Sequence, residues 1–547
     1  MKLDGRCWST SRVIPPGPMK QHRLRKRQTK LKPETYPQGT HLTAPPRKCA
    51  FFTIVSNNYL HFARTLLTSV RQQEHDADLF CVLVDDDYSM VESVACDFNP
   101  ITLDELNLPE GICFLFQYTI LELNTAVKPW AAEHLMDLGY EEVIYLDPDI
   151  FVYEPLKEAH SKLRSGANIV ITPHLLSPIA DDRSPNELDI RKAGTYNLGF
   201  CAMRRTMETY SFLHWWQKKL TRHCVIDLDK GMFVDQSWID LVPGLFDGVI
   251  ILRNVGYNVA YWNLAQRPFT RLNNGRYMLN NEPLTFFHFS GFDPLQPEQF
   301  SKYQNRYKLS TLGPISDIVK DYASALNANG AETFVHLKYG FGFYRDGSPI
   351  PDIFRREYRR DEELRRGSGS DPFNSPRMLI AIIGGAAQGA LPLTYSLSSL
   401  WNSSVDLQRV FNLGNQSCVE RFYVYFLENA DQYFPRWVLR AHLDILNGFL
   451  ESKGLTPYEY IENPTVGLRR LSAIYDRLLN RSPDASGVET FVFVCEEKWG
   501  MRRVWREVMK SDEWKNKGLL KPAKRNRNRR VPAVSEPKQR LVLNAAK

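Results

Sequence analysis

Residues Cys49–Ser56 read CAFFTIVS, an unbroken apolar run. A run this short and this continuous is the signature of a strand covered on both faces. Asn57-Asn58-Tyr59 follows as a turn, and Leu60–Val70 then sets Phe62, Leu66, Leu67 and Val70 at helical spacing. Leu79–Val84 predicts a second buried strand, closed by Asp85-Asp86-Asp87. An amphipathic stretch from Ala126 to Leu138 leads into Glu142–Leu146 (EVIYL), a third strand, and Asn168–Thr172 makes a fourth. Strands alternating with helices predict an α/β fold, Rossmann-like, with a mostly parallel sheet and helices on both faces. In such sheets ligands bind beyond the carboxyl ends of the strands, so the residues after each strand are where chemistry is expected.

The chain has 547 residues, enough for more than one domain. Its 30 Phe, 25 Tyr and 11 Trp exclude disorder over the full length. Charge is unevenly spread. Residues 1–48 carry 12 basic against 2 acidic side chains, and residues 515–547 carry 11 against 1, which leaves 46 basic and 59 acidic residues between them. An acidic body argues against a specific nucleic-acid-binding core. The ends read as disordered basic tails, able to make peripheral contact with anionic lipid at an inner membrane. Nine cysteines without a C-x-x-C pair suit reduced, buried thiols. With no apolar leader segment, a cytoplasmic location is expected. Met378–Val405 is uncharged but is interrupted by glycines and Pro392, well short of ~20 apolar residues, and reads as buried connector.

Between the tails, residues 49–310 hold the strand–helix alternation. Residues 311–376 read as connector and linker, ending in the charged and then Gly/Ser/Pro-rich stretch DEELRRGSGSDPFNSP at 361–376. Residues 377–514 have mainly helical spacing.

The third predicted strand runs directly into Asp147-Pro148-Asp149. Two carboxylates one residue apart at the end of a buried strand can face one pocket, and hard oxygen ligands suit Mn²⁺ or Mg²⁺ with positions left for a diphosphate. Tyr59 offers a face for stacking on a base, and Asp85 an acceptor for ribose hydroxyls.

With these residues in view, the chain resembles the GT-A-fold retaining glycosyltransferases of the glycogenin-like kind, family eight among the sugar transferases. Five segments carry the resemblance in chain order. Thr53-Ile54-Val55-Ser56-Asn57-Asn58-Tyr59 is similar to the nucleotide-binding first strand and turn. Tyr145-Leu146-Asp147-Pro148-Asp149 is similar to the metal-binding Asp-x-Asp, and Asn197-Leu198-Gly199-Phe200 to the Asn-x-Gly element beside the donor sugar. Asp235-Gln236 resembles the Asp-Gln pair under the sugar, and His288-Phe289-Ser290-Gly291 the His-x-x-Gly that supplies a third metal ligand. The resemblance implies a nucleotide-sugar donor, a glycan or protein acceptor, Mn²⁺ or Mg²⁺ held by Asp147, Asp149 and His288, and catalytic roles for Asn197, Asp235 and Gln236. Lys128 matches a basic residue near the nucleotide. Residues 474–514 resemble a small helical bacterial domain of unknown function.

Each residue also has an ordinary reading. His288 between phenylalanines fits a satisfied core histidine, Asn197-x-Gly199 a turn, Asp235 a helix cap, and Lys128 a solvated lysine. One position departs from the family: where a lysine would meet the departing diphosphate, this chain has Pro294. Arg253, Arg271, Arg276 and Lys302 are the nearby cations. The departure keeps a non-catalytic scaffold open as a rival. A nucleotidyltransferase is the other, although it would normally have a Gly-rich basic loop in place of Asn57-Asn58-Tyr59.

Overall fold

The computed structural model describes residues 47–93, 97–383, 389–458 and Tyr475. The two basic tails, and nearly all of 474–514, lie outside the described residues. All four expected strands form: β1 (Arg47–Val55), β2 (Asp78–Leu83), β4 (Tyr140–Leu146) and β6 (Ile169–Pro173). They belong to a seven-stranded sheet that also takes in β3 (Asn99–Thr102), β7 (Tyr196–Arg204) and Val249–Ile251. The order is Val249–Ile251, β6, β7, β4, β1, β2, β3. Every neighbouring pair is parallel except those of β7, which runs antiparallel to both β4 and β6. β1 sits inside the sheet, which is why CAFFTIVS has no polar face.

Apolar faces clamp the sheet from both sides. Helix α1 (Leu60–Gln73) buries Phe62, Ala63, Leu66, Leu67 and Val70, the spacing expected of an amphipathic helix. On the other side Lys128–Asp137 begins with Pro129 in its first turn, where the missing N–H costs nothing, and buries Trp130, Ala131, Leu135 and Met136.

Asn197–Phe200, read from sequence as a turn or loop element, lies inside strand β7. Its pairing with β6 shifts register between Ile171, opposite Cys201, and Thr172, opposite Asn197, which leaves Leu198, Gly199 and Phe200 unpaired with β6. The stretch 361–376 also differs from its reading as a spacer. Glu362–Gly367 is helical, capped by the Asp361 side chain on Leu364 N–H, and Leu364 and Phe373 are buried. The reason is apolar content: one core runs from Phe52 through Phe116, Tyr358 and Phe373 to Leu397, Phe422 and Val438. Residues 341–446 therefore finish the same core as the sheet. Pro314–Ala328 packs Ile318, Val319 and Tyr322 against Phe62, Phe287 and Phe289. No helix among the described residues is long and apolar enough to cross a membrane. Among the described residues, Cys49, Cys81, Cys201 and Cys224 are buried and none forms a disulfide.

Buried histidines make stability pH-dependent. Burial holds His61 and His442 neutral down to about 4, against an ordinary 6.5. The unfolded chain takes up these protons near 6.5 and the folded chain refuses them until about 4. Their contribution is therefore intact above 6.5 and is lost as pH falls toward 4. His160 has the opposite sign. Burial pulls its value down, but Glu142 and Glu74 outweigh that and hold it protonated up to about 9, so its contribution fades as pH rises from 6.5 through 9. Stability should peak near neutrality. His61→Phe replaces a ring whose two nitrogens have no partner among the described residues, and it should flatten the acid limb by on the order of 3 kcal/mol. Urea midpoints measured at pH 4.5 and 7 check this; parallel curves for the two proteins would contradict it.

Candidate metal centre and sugar-nucleotide site

Strand β4 ends at Leu146, and the chain turns through Asp147-Pro148-Asp149, with Ile150 N–H returning to Asp147 O (3.1 Å), into β5 (Ile150–Val152). β5 pairs antiparallel with Phe286–His288, setting His288 opposite Ile150. Phe289 N–H donates to Asp149 O at 2.8 Å. This short ladder brings together residues 139 or more positions apart in sequence. His288 Nε2 lies 3.0 Å from Asp149 Oδ1 and 3.6 Å from Asp147 Oδ2. The aspartate side chains are 23% and 28% exposed for Asp149 and Asp147, whereas His288 is 3% exposed. The acids open to solvent and the imidazole closes the pocket from behind.

Negative charge here is answered by local groups. Tyr145 OH, two residues upstream on the same face of β4, donates to Asp147 Oδ1 at 2.6 Å. Burial alone would hold His288 neutral, but the Asp149 and Asp147 carboxylates lift it above its ordinary range. Two carboxylate oxygens and an imidazole nitrogen lie within 4.8 Å of one another. That donor set fits Mn²⁺ or Mg²⁺ and leaves positions for further oxygen ligands.

The other expected residues fall into two groups. Lys128 and Asp235 form an ion pair at 2.7 Å, each 2% exposed. Lys128 Nζ also donates to Leu198 O (3.2 Å) and sits 4.1 Å from the centre of the Tyr145 ring. Burial raises the Asp235 carboxyl, with Lys128 opposing it. Lys128 is thus a buried cation beneath the acidic pair, not a solvated lysine. Gln236 uses both ends of its amide internally: Oε1 accepts from Leu198 N–H (2.9 Å) and Nε2 donates to Ala193 O (2.7 Å). Asn197 is buried and also hydrogen-bonded within the protein. Gly199 makes room for a side chain of the protein itself: a Cβ there would stand 2.4 Å from His288 Cε1.

Around the first strand, Thr53 and Val55 are sealed in the sheet. Asn57 N–H donates to Asp85 Oδ2 (3.0 Å) and its amide nitrogen to Asp87 O (2.6 Å), leaving Asn57 Oδ1 buried without a partner among the described residues. Asp85 is buried too. It accepts from Asn57, Asp86 and Gly340 N–H, and burial outweighs those bonds to raise its carboxyl to about 6. Tyr59 stacks one face on Phe62 (4.9 Å) and stays 39% exposed. Gly291 has φ +75, and a Cβ there would meet the Tyr303 ring at 2.5 Å. Burial, and then the Asp149 carboxylate, push the Tyr59 and Tyr303 hydroxyls up, Tyr303 to about 12.

Sequence reasoning did not find Tyr145, Thr172, His174 or Asn258. The two-residue spacing of Tyr145 from Asp147 was available; the others carry no local signal. Gly199→Ala should displace the His288 ring and weaken Mn²⁺ binding by roughly 10-fold or more. Calorimetric titration checks this, with thermal unfolding as the control for folding; an unchanged Kd would contradict the packing described.

No family model matches the chain. Two relatives from Bacillus subtilis strain 168 are similar to it: the uncharacterized protein YfnF, 27% identical over 261 residues (44% of this chain, 81% of the relative), and the uncharacterized protein YfnD, 25% identical over 257 residues (46% and 80%). Among solved structures, the galactosyltransferase LgtC in complex with donor and acceptor sugar analogs overlaps 51% of this chain and 95% of its own at 14% identity and a TM-score of 0.33. Mouse xyloside xylosyltransferase 1 overlaps 44% and 97% at 12% identity and a TM-score of 0.28. At such scores the overlaps say nothing about chemistry.

Proposed function

We propose that the chain is a divalent-metal-dependent glycosyltransferase that moves a sugar from a nucleoside-diphosphate donor to a glycan or protein acceptor in the cytoplasm. The supporting observation is the convergence of Asp147, Asp149 and His288 on one opening beside the carboxyl ends of β1 and β4. Mn²⁺ or Mg²⁺ bound there would supply positive charge to the departing diphosphate.

The protein's own groups have distinct tasks in this reading. Asp147 and Asp149 hold the ion from the open side and His288 from the closed side. The buried Lys128 offsets the charge of its neighbours Asp235 and Asp147. The exposed face of Tyr59 is available for stacking on the base. Asp235, paired to Lys128, acts on the sugar's developing positive charge through the field of the pair rather than by contact. Of the cations near Pro294 in sequence, Arg271 pairs with Asp317 and Arg276 with Glu154. Lys302 sits at the Gly291 turn, over the Tyr303 ring, with no carboxylate within 4 Å among the described residues. Its backbone N–H is tied to Gly291 O, three residues past His288, so Lys302 is the cation assigned to the diphosphate, with Arg253, also outside any ion pair among the described residues, as the alternative. Retention of configuration follows from the family resemblance. The helical half, through its shared core with the sheet, is assigned to acceptor choice.

Incubation with a panel of nucleotide sugars and Mn²⁺ tests the reading by release of nucleoside diphosphate. Release should vanish with EDTA and fall on the order of 100-fold or more in Asp149→Ala. Silence across the panel from folded protein would favour the scaffold.

A further inference from the structure

The amide network behind His288 has only one consistent set of donors and acceptors. Gly199 N–H can only donate, and it points at Asn197 Oδ1 (3.0 Å). That end of Asn197 is therefore the carbonyl oxygen, and its NH₂ faces His174 Nε2 (3.1 Å). The same Asn197 oxygen lies 2.9 Å from one end of the Asn258 amide, which must then be nitrogen; that nitrogen also reaches Thr172 Oγ1 at 2.8 Å. The remaining end of Asn258 is its oxygen, 3.1 Å from His288 Nδ1. An oxygen there requires a hydrogen on Nδ1. The direction of each bond follows from the one before, starting at a backbone N–H whose role is not open to choice.

Asn258 is itself held on its backbone. Its φ is +52, a left-handed conformation that asparagine tolerates better than most residues. Asn263 Nδ2 donates to Asn258 O (2.9 Å), and His288 N–H donates to Val259 O (2.8 Å), so the residue carrying the amide and the residue receiving it are fastened together.

We infer that Asn258 is the positioning residue of the metal centre: it accepts from His288 Nδ1–H and thereby leaves Nε2, the nitrogen beside Asp149 and Asp147, for a divalent ion. Asn197 anchors Asn258 and is not a donor-sugar contact. The inference rests on the reading of Asp147, Asp149 and His288 as metal ligands. It explains why Gly199 has no side chain and why an asparagine occupies a left-handed position inside the core. A histidine ligand whose second nitrogen is fixed in this way keeps both its orientation and its tautomer.

The test uses the full chain and two variants. Asn258→Gly keeps the left-handed backbone and removes the acceptor; Asn258→Asp keeps an acceptor. Mn²⁺ affinity is read by titration calorimetry, and the His288 tautomer by ¹⁵N chemical shifts of histidine-labelled, metal-free protein, with His288→Gln identifying the signal. Expected are Nδ1–H in the wild type and in Asn258→Asp, and Mn²⁺ binding weakened roughly 10- to 100-fold in Asn258→Gly and less in Asn258→Asp, which keeps the acceptor for Nδ1–H but loses the bond to Asn197 Oδ1. Wild-type affinity in Asn258→Gly, or a wild-type signal with no hydrogen on Nδ1, overturns the inference while leaving the metal centre in place. Failure of the wild type to bind Mn²⁺ overturns the metal reading and this inference with it. Should Asn258→Gly not fold, the wild-type tautomer still decides.

Discussion

Two carboxylates held one residue apart repel each other, and the structure around them is organised by the need to answer that repulsion. Unit charges about 4 Å apart interact by about 4 kcal/mol at the effective dielectric of a protein surface, comparable to a large fraction of a domain's net stability. Asp147 and Asp149 cannot be relieved by moving apart, because the strand pairing of Ile150–Val152 with Phe286–His288 fixes the backbone on either side of Asp149. Relief comes instead from Tyr145 OH, from the buried Lys128 and from the His288 ring. Gly199 is the packing condition that lets the ring approach.

The layer under this centre is polar, buried and almost fully hydrogen-bonded, which is what a low-dielectric interior demands of such groups. Asn197, Gln236, Asp235, Lys128 and Asn258 all spend their side chains on one another or on backbone. They form a rigid shelf. Fewer groups nearby keep solvent exposure: the two aspartates, Tyr59, Tyr303 and Lys302.

How much of this was legible beforehand follows from which signals are local. CAFFTIVS, Leu79–Val84, EVIYL and Asn168–Thr172 announced themselves because strands buried on both faces must be apolar throughout. Asn197–Phe200 misled, because an asparagine and a glycine two apart look like a turn; only the pairing with β4 and the register shift against β6 make them strand. Asp361–Pro376 misled in the same way, since its composition is that of a spacer while Leu364 and Phe373 are anchored in the shared core. The grouping of Asp147, Asp149 and His288 was legible through motif order, but Asn258 and His174 were invisible: their contacts span 30 and 23 residues, which no local pattern records.

The central claim is that one divalent ion is shared by Asp147, Asp149 and His288 Nε2. Anomalous diffraction from crystals soaked in Mn²⁺ tests it most directly. The account predicts a peak within bonding distance of all three side chains. A peak elsewhere, or none there with His288 Nε2 donating directly to Asp149, would contradict it.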